Sequence, residues 1–107
     1  YNYVSPELML AFLKYAHSKP EIYKEVFDAL PIAGVDGTLK YRMKGGKAYG
    51  NVRAKTGTVS GVSTLAGYLK ADNGHEIAFV IMNQQVLDGK AARSFQDKLC
   101  EVLCSLK

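Results

Sequence analysis

Cysteine is scarce in this 107-residue sequence: only Cys100 and Cys104 occur, four positions apart. If their segment is helical they share a face, but their Cβ atoms then point along the axis rather than at each other, which disfavours a disulfide between them. A bound metal is equally poorly provided for, because His17 and His75 stand alone and two further ligands would be needed. Both cysteines therefore read as small apolar core residues, and no cofactor, metal or organic, is implied. Long apolar runs are missing too, since no window approaches the roughly 18 residues of a membrane span. There is neither an initiator Met nor a basic-then-apolar opening, so no signal peptide is legible. Repeats, low-complexity tracts and linkers are absent, which leaves at most one compact domain over 1–107.

Acidic residues are the minority, ten against fourteen basic ones, for a net charge of +4 that favours anionic partners through long-range steering. The stretch from Lys40 to Lys55 carries Lys40, Arg42, Lys44, Lys47, Arg53 and Lys55 with no acid among them. Its plain reading is a solvated basic loop, and its functional alternative is a non-catalytic module for a polyanion. Tyr41 and Tyr49 are its only aromatics and no nucleic-acid motif accompanies it, so no nucleic-acid partner is expected.

What is present is a globular composition, 48% apolar and 22% charged, with clear periodicities. Ser5-Pro6-Glu7 is a helix start, and Leu8, Met9, Phe12, Leu13 and Ala16 recur at helical spacing, so the pattern predicts a helix over 6–17. A second helix opens at Pro20-Glu21, shows Ile22, Val26 and Phe27 on one face, and ends by Pro31. Asp36-Gly37-Thr38 is expected to open a short helical segment to about Met43, with Asp36 as its cap. The period then changes. Residues 52–59, 64–71 and 76–83 read as strands, with a type I′ hairpin expected at Asn73-Gly74. The run 77–82 does not alternate, which suggests a strand covered on both faces. Asp88 caps a last helix whose apolar stripe is expected to be Ala91, Ala92, Phe95, Leu99, Val102, Leu103 and Leu106. The sum is an α+β arrangement: a three-stranded antiparallel meander flanked by N-terminal helices and a long C-terminal helix.

Chemistry concentrates at Arg53-Ala54-Lys55-Thr56-Gly57-Thr58, on the first expected strand. A peptide can lie antiparallel to an edge strand and gain main-chain hydrogen bonds. Gly57, lacking a Cβ, permits close approach. Lys55 and the Thr56 hydroxyl can receive a terminal carboxylate. His75 is read as a solvated loop residue, and Ser60 and Ser63 as strand and turn residues.

Together with 30–39, 61–68 and 78–83, this stretch resembles the penicillin-binding serine D-Ala-D-Ala carboxypeptidases and endopeptidases, whose signatures include Lys-Thr-Gly. The resemblance implies a β-lactamase/transpeptidase-like fold. It implies catalytic roles for Lys55 and Thr58, the latter through a backbone N–H of the oxyanion hole, and substrate binding by Thr56 and Gly57. It further implies an acyl-serine route on peptidoglycan stem peptides, β-lactams as inhibitors, and a periplasmic or cell-envelope location. The nucleophile is missing: no serine here has a lysine three positions on, and no Ser-x-Asn occurs. In the family both motifs lie upstream, so the chain reads as a C-terminal portion that is inactive alone. The strand at 76–83 would then present an open edge through which the fragment is expected to dimerise or exchange segments.

Overall fold

Ser5 and Pro6 set the first helix in register, as their sequence signature requires. In the computed structural model, which describes residues 5–59, 61–84 and 88–107, Ser5 Oγ accepts the Leu8 N–H at 3.1 Å and starts α1 (Pro6–His17). Proline again occupies the first turn of α2 (Pro20–Ala29), which ends just before Leu30-Pro31. The helical segment expected to reach Met43 is shorter, a single 3₁₀ turn at Gly37–Leu39. Asp36 does not cap it, because its Oδ1 accepts the Ile32 N–H at 2.7 Å instead. Met43 is driven to a φ of 56° while its side chain is buried in the core, so tertiary burial outcompetes helix extension.

Three antiparallel strands follow in the order of the chain: β1 (Arg53–Val59), β2 (Val62–Lys70) and β3 (Glu76–Asn83). The register places Arg53, Tyr68 and Ala78 abreast at one end, and Thr58, Ser63 and Asn83 abreast at the other. The β2–β3 connection is not the expected type I′ turn. Only Gly74 has a positive φ, 89°, while Gly74 N–H bonds Ala71 O and Ala71 N–H bonds His75 O, both at 2.9 Å. That is a three-residue loop with glycine in the left-handed position, which leaves Asn73 free to accept the His75 N–H on its side chain at 2.9 Å.

Both faces of the sheet are covered, which accounts for the non-alternating run in β3. Leu65, Leu69, Phe79 and Ile81 pack with Leu39, Val52, Cys100 and Cys104 on one side. Ala66, Tyr68, Ala78 and Val80 pack with Leu13, Tyr23 and Phe27 on the other. Tyr68 is fully buried and donates its hydroxyl to Leu13 O at 2.6 Å, pinning α1 to β2. The last helix, α3 (Gly89–Cys104), is capped by Asp88 as expected, with Oδ1 accepting the Lys90 N–H at 3.0 Å. Its buried row is Ala92, Gln96, Cys100 and Cys104. Of the expected stripe, Ala92 is buried and Leu99 and Leu103 pack against the core, while Phe95 and Val102 are 52% and 60% exposed, so the stripe is right in part and set partly off the docking face. No helix among the described residues is long and apolar enough to cross a membrane.

Candidate active site

Strand β1 lies at the edge of the sheet, and its outer side is only partly occupied. The segment before the 3₁₀ turn covers the first residues: Ala33 N–H bonds Val52 O at 2.8 Å, and Ala54 N–H bonds Pro31 O at 3.0 Å. Because backbone groups alternate sides along a strand, the outward Ala54 N–H places those of Thr56 and Thr58 on the same outer edge. Arg53, Lys55, Gly57 and Val59 correspondingly turn inward to β2. Beyond Ala54 no backbone partner pairs with that edge among the described residues.

The side chains bracket this free edge. Lys55 leaves β1 on the α1–α2 side, at the rim of an apolar cavity of about 300 Å³ lined by Met9, Phe12, Leu13, Val26, Leu30 and others. Its ammonium curls back onto the outer edge and donates to Thr56 O at 2.6 Å. Thr56 leaves on the opposite face, where Oγ1 donates to Thr38 Oγ1 at 3.0 Å and ties β1 to the 3₁₀ turn. Gly57 is required by its neighbour: a Cβ there would come within 2.8 Å of Thr64 Oγ1, which itself donates to Gly57 O at 3.3 Å. Lys55, Thr56 and Gly57 thus lie side by side with the backbone of Thr58. Ser60 lies outside the described residues.

A polar cluster that the sequence did not announce sits behind the far end of the same sheet. Gln96, fully buried on α3, donates from Nε2 to Asn83 Oδ1 at 3.0 Å and to Ser63 Oγ at 3.2 Å. Its Oε1 accepts from Arg42 Nη2 at 3.2 Å, and Arg42 also donates to Asp97 Oδ1 from Nε at 3.0 Å and Nη2 at 2.6 Å. The one available signal was a lone glutamine in a row of small residues, Ala92, Cys100 and Cys104, at four-residue spacing. Every buried side-chain polar atom among the described residues has a partner.

Several other expectations resolve here. Arg42 is consumed by Asp97, Lys47 pairs with Asp72, and Arg53 stacks 4.1 Å over the Phe27 ring while donating to Phe27 O. Arg42 and Arg53 are therefore held largely within the fold, and Lys47 is paired at the surface. His75 is exposed in its loop, whereas His17 bonds Glu76 Oε1 at 2.6 Å, beside the Tyr23 hydroxyl on Glu76 Oε2 at 2.6 Å. Both cysteines are free and buried, and burial pushes the Cys100 thiol up to about 12 and Cys104 to about 11. No cluster of His, Cys, Asp or Glu among the described residues could hold a metal ion.

Comparison with known proteins bears on the family and the fold. A family model described as D-Ala-D-Ala carboxypeptidase 3 (S13) matches residues 1–106. A D-alanyl-D-alanine carboxypeptidase of an Actinomadura species is 41% identical over 104 residues, covering 92% of this chain and 19% of that protein. The D-alanyl-D-alanine carboxypeptidase DacB of Haemophilus influenzae is 37% identical over 102 residues, again 92% of this chain and 20% of the other. The chain thus spans about a fifth of the length of these relatives. The crystal structure of penicillin binding protein 4 from Haemophilus influenzae superposes with a TM-score of 0.84 at 30% identity, covering 98% of this chain and 25% of that one. A predatory endopeptidase from Bdellovibrio bacteriovorus, solved with an immunity protein, gives 0.70 at 30% identity over 96% of this chain and 27% of its own.

Proposed function

The chain belongs to the D-Ala-D-Ala carboxypeptidase 3 (S13) family, and from that premise we propose that it forms one wall of a serine peptidase active site, built on the β1 edge. The observation that carries this reading is the coincidence of Lys55-Thr56-Gly57 with the stretch of β1 whose outer edge has no backbone partner among the described residues, its Thr56 carbonyl being met only by the Lys55 ammonium. A substrate strand laid along that edge would meet the Thr56 backbone as an added β-strand does. Its terminal carboxylate would sit between the Lys55 ammonium and the Thr56 hydroxyl, which flank the edge from opposite faces. The Thr58 N–H, turned outward, would donate to the oxyanion that forms as the scissile carbonyl becomes tetrahedral.

The acylating serine and its lysine would come from upstream sequence, so that the D-Ala-D-Ala bond of a peptidoglycan stem peptide is opened through an acyl-serine ester and the ester is then hydrolysed. β-Lactams would inhibit by acylating the same serine; the Haemophilus influenzae protein has been solved with one bound. Such a substrate places the enzyme in the cell envelope, on the periplasmic side. No organic cofactor or metal enters this scheme. The polyanion-module alternative is weakened by Arg42, held against Asp97 with little exposure, by Lys47, paired with Asp72, and by Arg53, stacked on Phe27.

The test is intact-mass spectrometry after incubation with a penicillin, on this chain and on the full-length protein that contains it. The expected outcome is a covalent adduct on the full-length protein alone. No adduct on a folded full-length protein would sink the reading. A second proposal concerns the isolated chain: the outer edge of β3, which has no strand beside it among the described residues, would make it pair with a second copy.

A further inference from the structure

We infer that Gln96 is a positioning residue for the oxyanion strand: its buried carboxamide clamps the sheet row that carries the Thr58 N–H. The inference rests on the peptidase reading and extends it to a helix that touches no substrate. Thr58 pairs with Ser63 on β2, and Ser63 with Asn83 on β3. With Ala54 N–H outward, Thr58 and Ser63 form a non-hydrogen-bonded pair, so the Thr58 N–H gains nothing from the ladder. Only the Val59–Val62 pair lies beyond this row before the hairpin. The group that must be held most rigidly thus sits one pair from the end of the ladder, with no ladder bond of its own.

Gln96 supplies the missing restraint from behind. Its Nε2 reaches both neighbours in the row, Ser63 Oγ at 3.2 Å and Asn83 Oδ1 at 3.0 Å. The amide orientation follows from chemistry: Arg42 can only donate, so the Gln96 oxygen must face Arg42 Nη2, and both N–H groups must face the sheet. Arg42 is in turn held by two bonds to Asp97 Oδ1 and one to Arg93 O at 3.2 Å. A chain of bonds, charge-assisted from Asp97 through Arg42 to the Gln96 oxygen and neutral beyond it, therefore links α3 through one fully buried amide to the last rows of the sheet. Burial of that amide in a row otherwise made of Ala92, Cys100 and Cys104 has a cost that packing alone does not repay.

The experiment uses the full-length protein and reads penicillin acylation by stopped-flow, separating the pre-covalent Kd from the first-order acylation constant, with Tm recorded for each variant. Gln96→Leu is expected to lower the first-order constant about tenfold and leave Kd within about twofold, because misplacing a donor affects the transition state more than binding. Gln96→Glu is expected to stay within about threefold of wild type, since Asn83 can turn its amide and Ser63 its hydroxyl to donate, and Arg42 still donates. Cys104→Ala, which loosens the same helix at its other end, is expected to lower Tm and leave acylation unchanged. Wild-type acylation by Gln96→Leu, or equal slowing by Cys104→Ala at matched Tm loss, would overturn the role. If Gln96→Leu does not fold, Ser63→Ala is read instead: about threefold slowing supports the clamp, and no slowing refutes it. A wild-type protein that takes no penicillin overturns the peptidase reading and this role with it, whereas an acylated wild type with unaffected variants overturns the role alone.

Discussion

At Gly67 a Cβ would lie 2.0 Å from Arg53 O and 2.6 Å from Ala54 Cα, whereas at Gly57 it would meet only Thr64 Oγ1, at 2.8 Å. Backbone cannot retreat as a hydroxyl can. Gly67→Ala is therefore expected to cost at least about 2–3 kcal/mol in chemical denaturation, and Gly57→Ala about 1 kcal/mol. Adding Thr64→Ala should recover most of the Gly57→Ala loss and none of the Gly67→Ala loss. A second expectation concerns the thiols, whose ordinary value of 9.0 is raised first by burial and then by the neighbouring Cys104 for Cys100 and Glu101 for Cys104. With folded values near 12 and 11, the unfolded chain releases these protons first. Their contribution to stability is full below the unfolded value of 9.0 and declines as pH rises toward 11–12. Tyr68, raised by burial and by the Glu76 charge, acts in the same direction. Denaturation midpoints should fall between about pH 8.5 and pH 10.5, and both thiols should resist alkylation at about pH 8 until the chain unfolds. In the full-length protein, Lys55→Ala should slow penicillin acylation about a hundredfold, read by the same mass assay.

The elements were largely legible, and their faces less so. Proline at the start of two helices, Ser5 and Asp88 as caps, and three apolar runs place α1, α2, α3 and the meander nearly where they stand. Helix α3 shows why the facing was legible only in part. A hydrophobic stripe counts residue types, but the centre of the docking face is Ala92, Cys100 and Cys104 around one satisfied amide, with Leu99 and Leu103 at its flank and Phe95 and Val102 outside it. Val102→Ser is accordingly expected to change stability by less than about 0.5 kcal/mol, despite removing an apolar side chain from the apparent stripe. Cys100→Ser, which puts a hydroxyl into an apolar site, is expected to cost about 1–3 kcal/mol. Asp88→Ala should cost about 1 kcal/mol, the usual value of an N-cap. All three are checked by urea denaturation of the same protein.

On the scale of the whole molecule, the layers are complete above and below the sheet but open at its two ends. Strand β1 is partly covered by the 31–33 segment; β3 has no further strand beside it among the described residues. With β1 facing β2 through Lys55 and Gly57, β2 faces β3 through Ser63, Leu65, Gly67 and Leu69, so the backbone groups of Ala78, Val80 and Met82 point outward. On α1 above it, Leu8, Phe12 and Tyr15 are each more than half exposed at helical spacing. An apolar helix stripe beside a strand edge unpaired among the described residues would serve as an association surface. Sedimentation at tens of micromolar is expected to show a dimer of the isolated chain, and Val80→Lys should shift it toward monomer. A clean wild-type monomer would refute the pairing.

Local information settled what local physics governs: helix starts, strand periods and the burial of the thiols. Tertiary structure decided the rest, because the deciding interactions join residues far apart in sequence. Arg42 reads as one cation of a basic loop until Asp97 lies beside it, 55 residues on. Met43 reads as the end of a helix until the core claims its side chain. Gln96 carries no signal of its own in the sequence, and its role emerges only where Ser63 and Asn83, on two different strands, converge on its amide. Which edge of β1 stays open depends on where residues 31–33 fold back, and only the assembled sheet determines that.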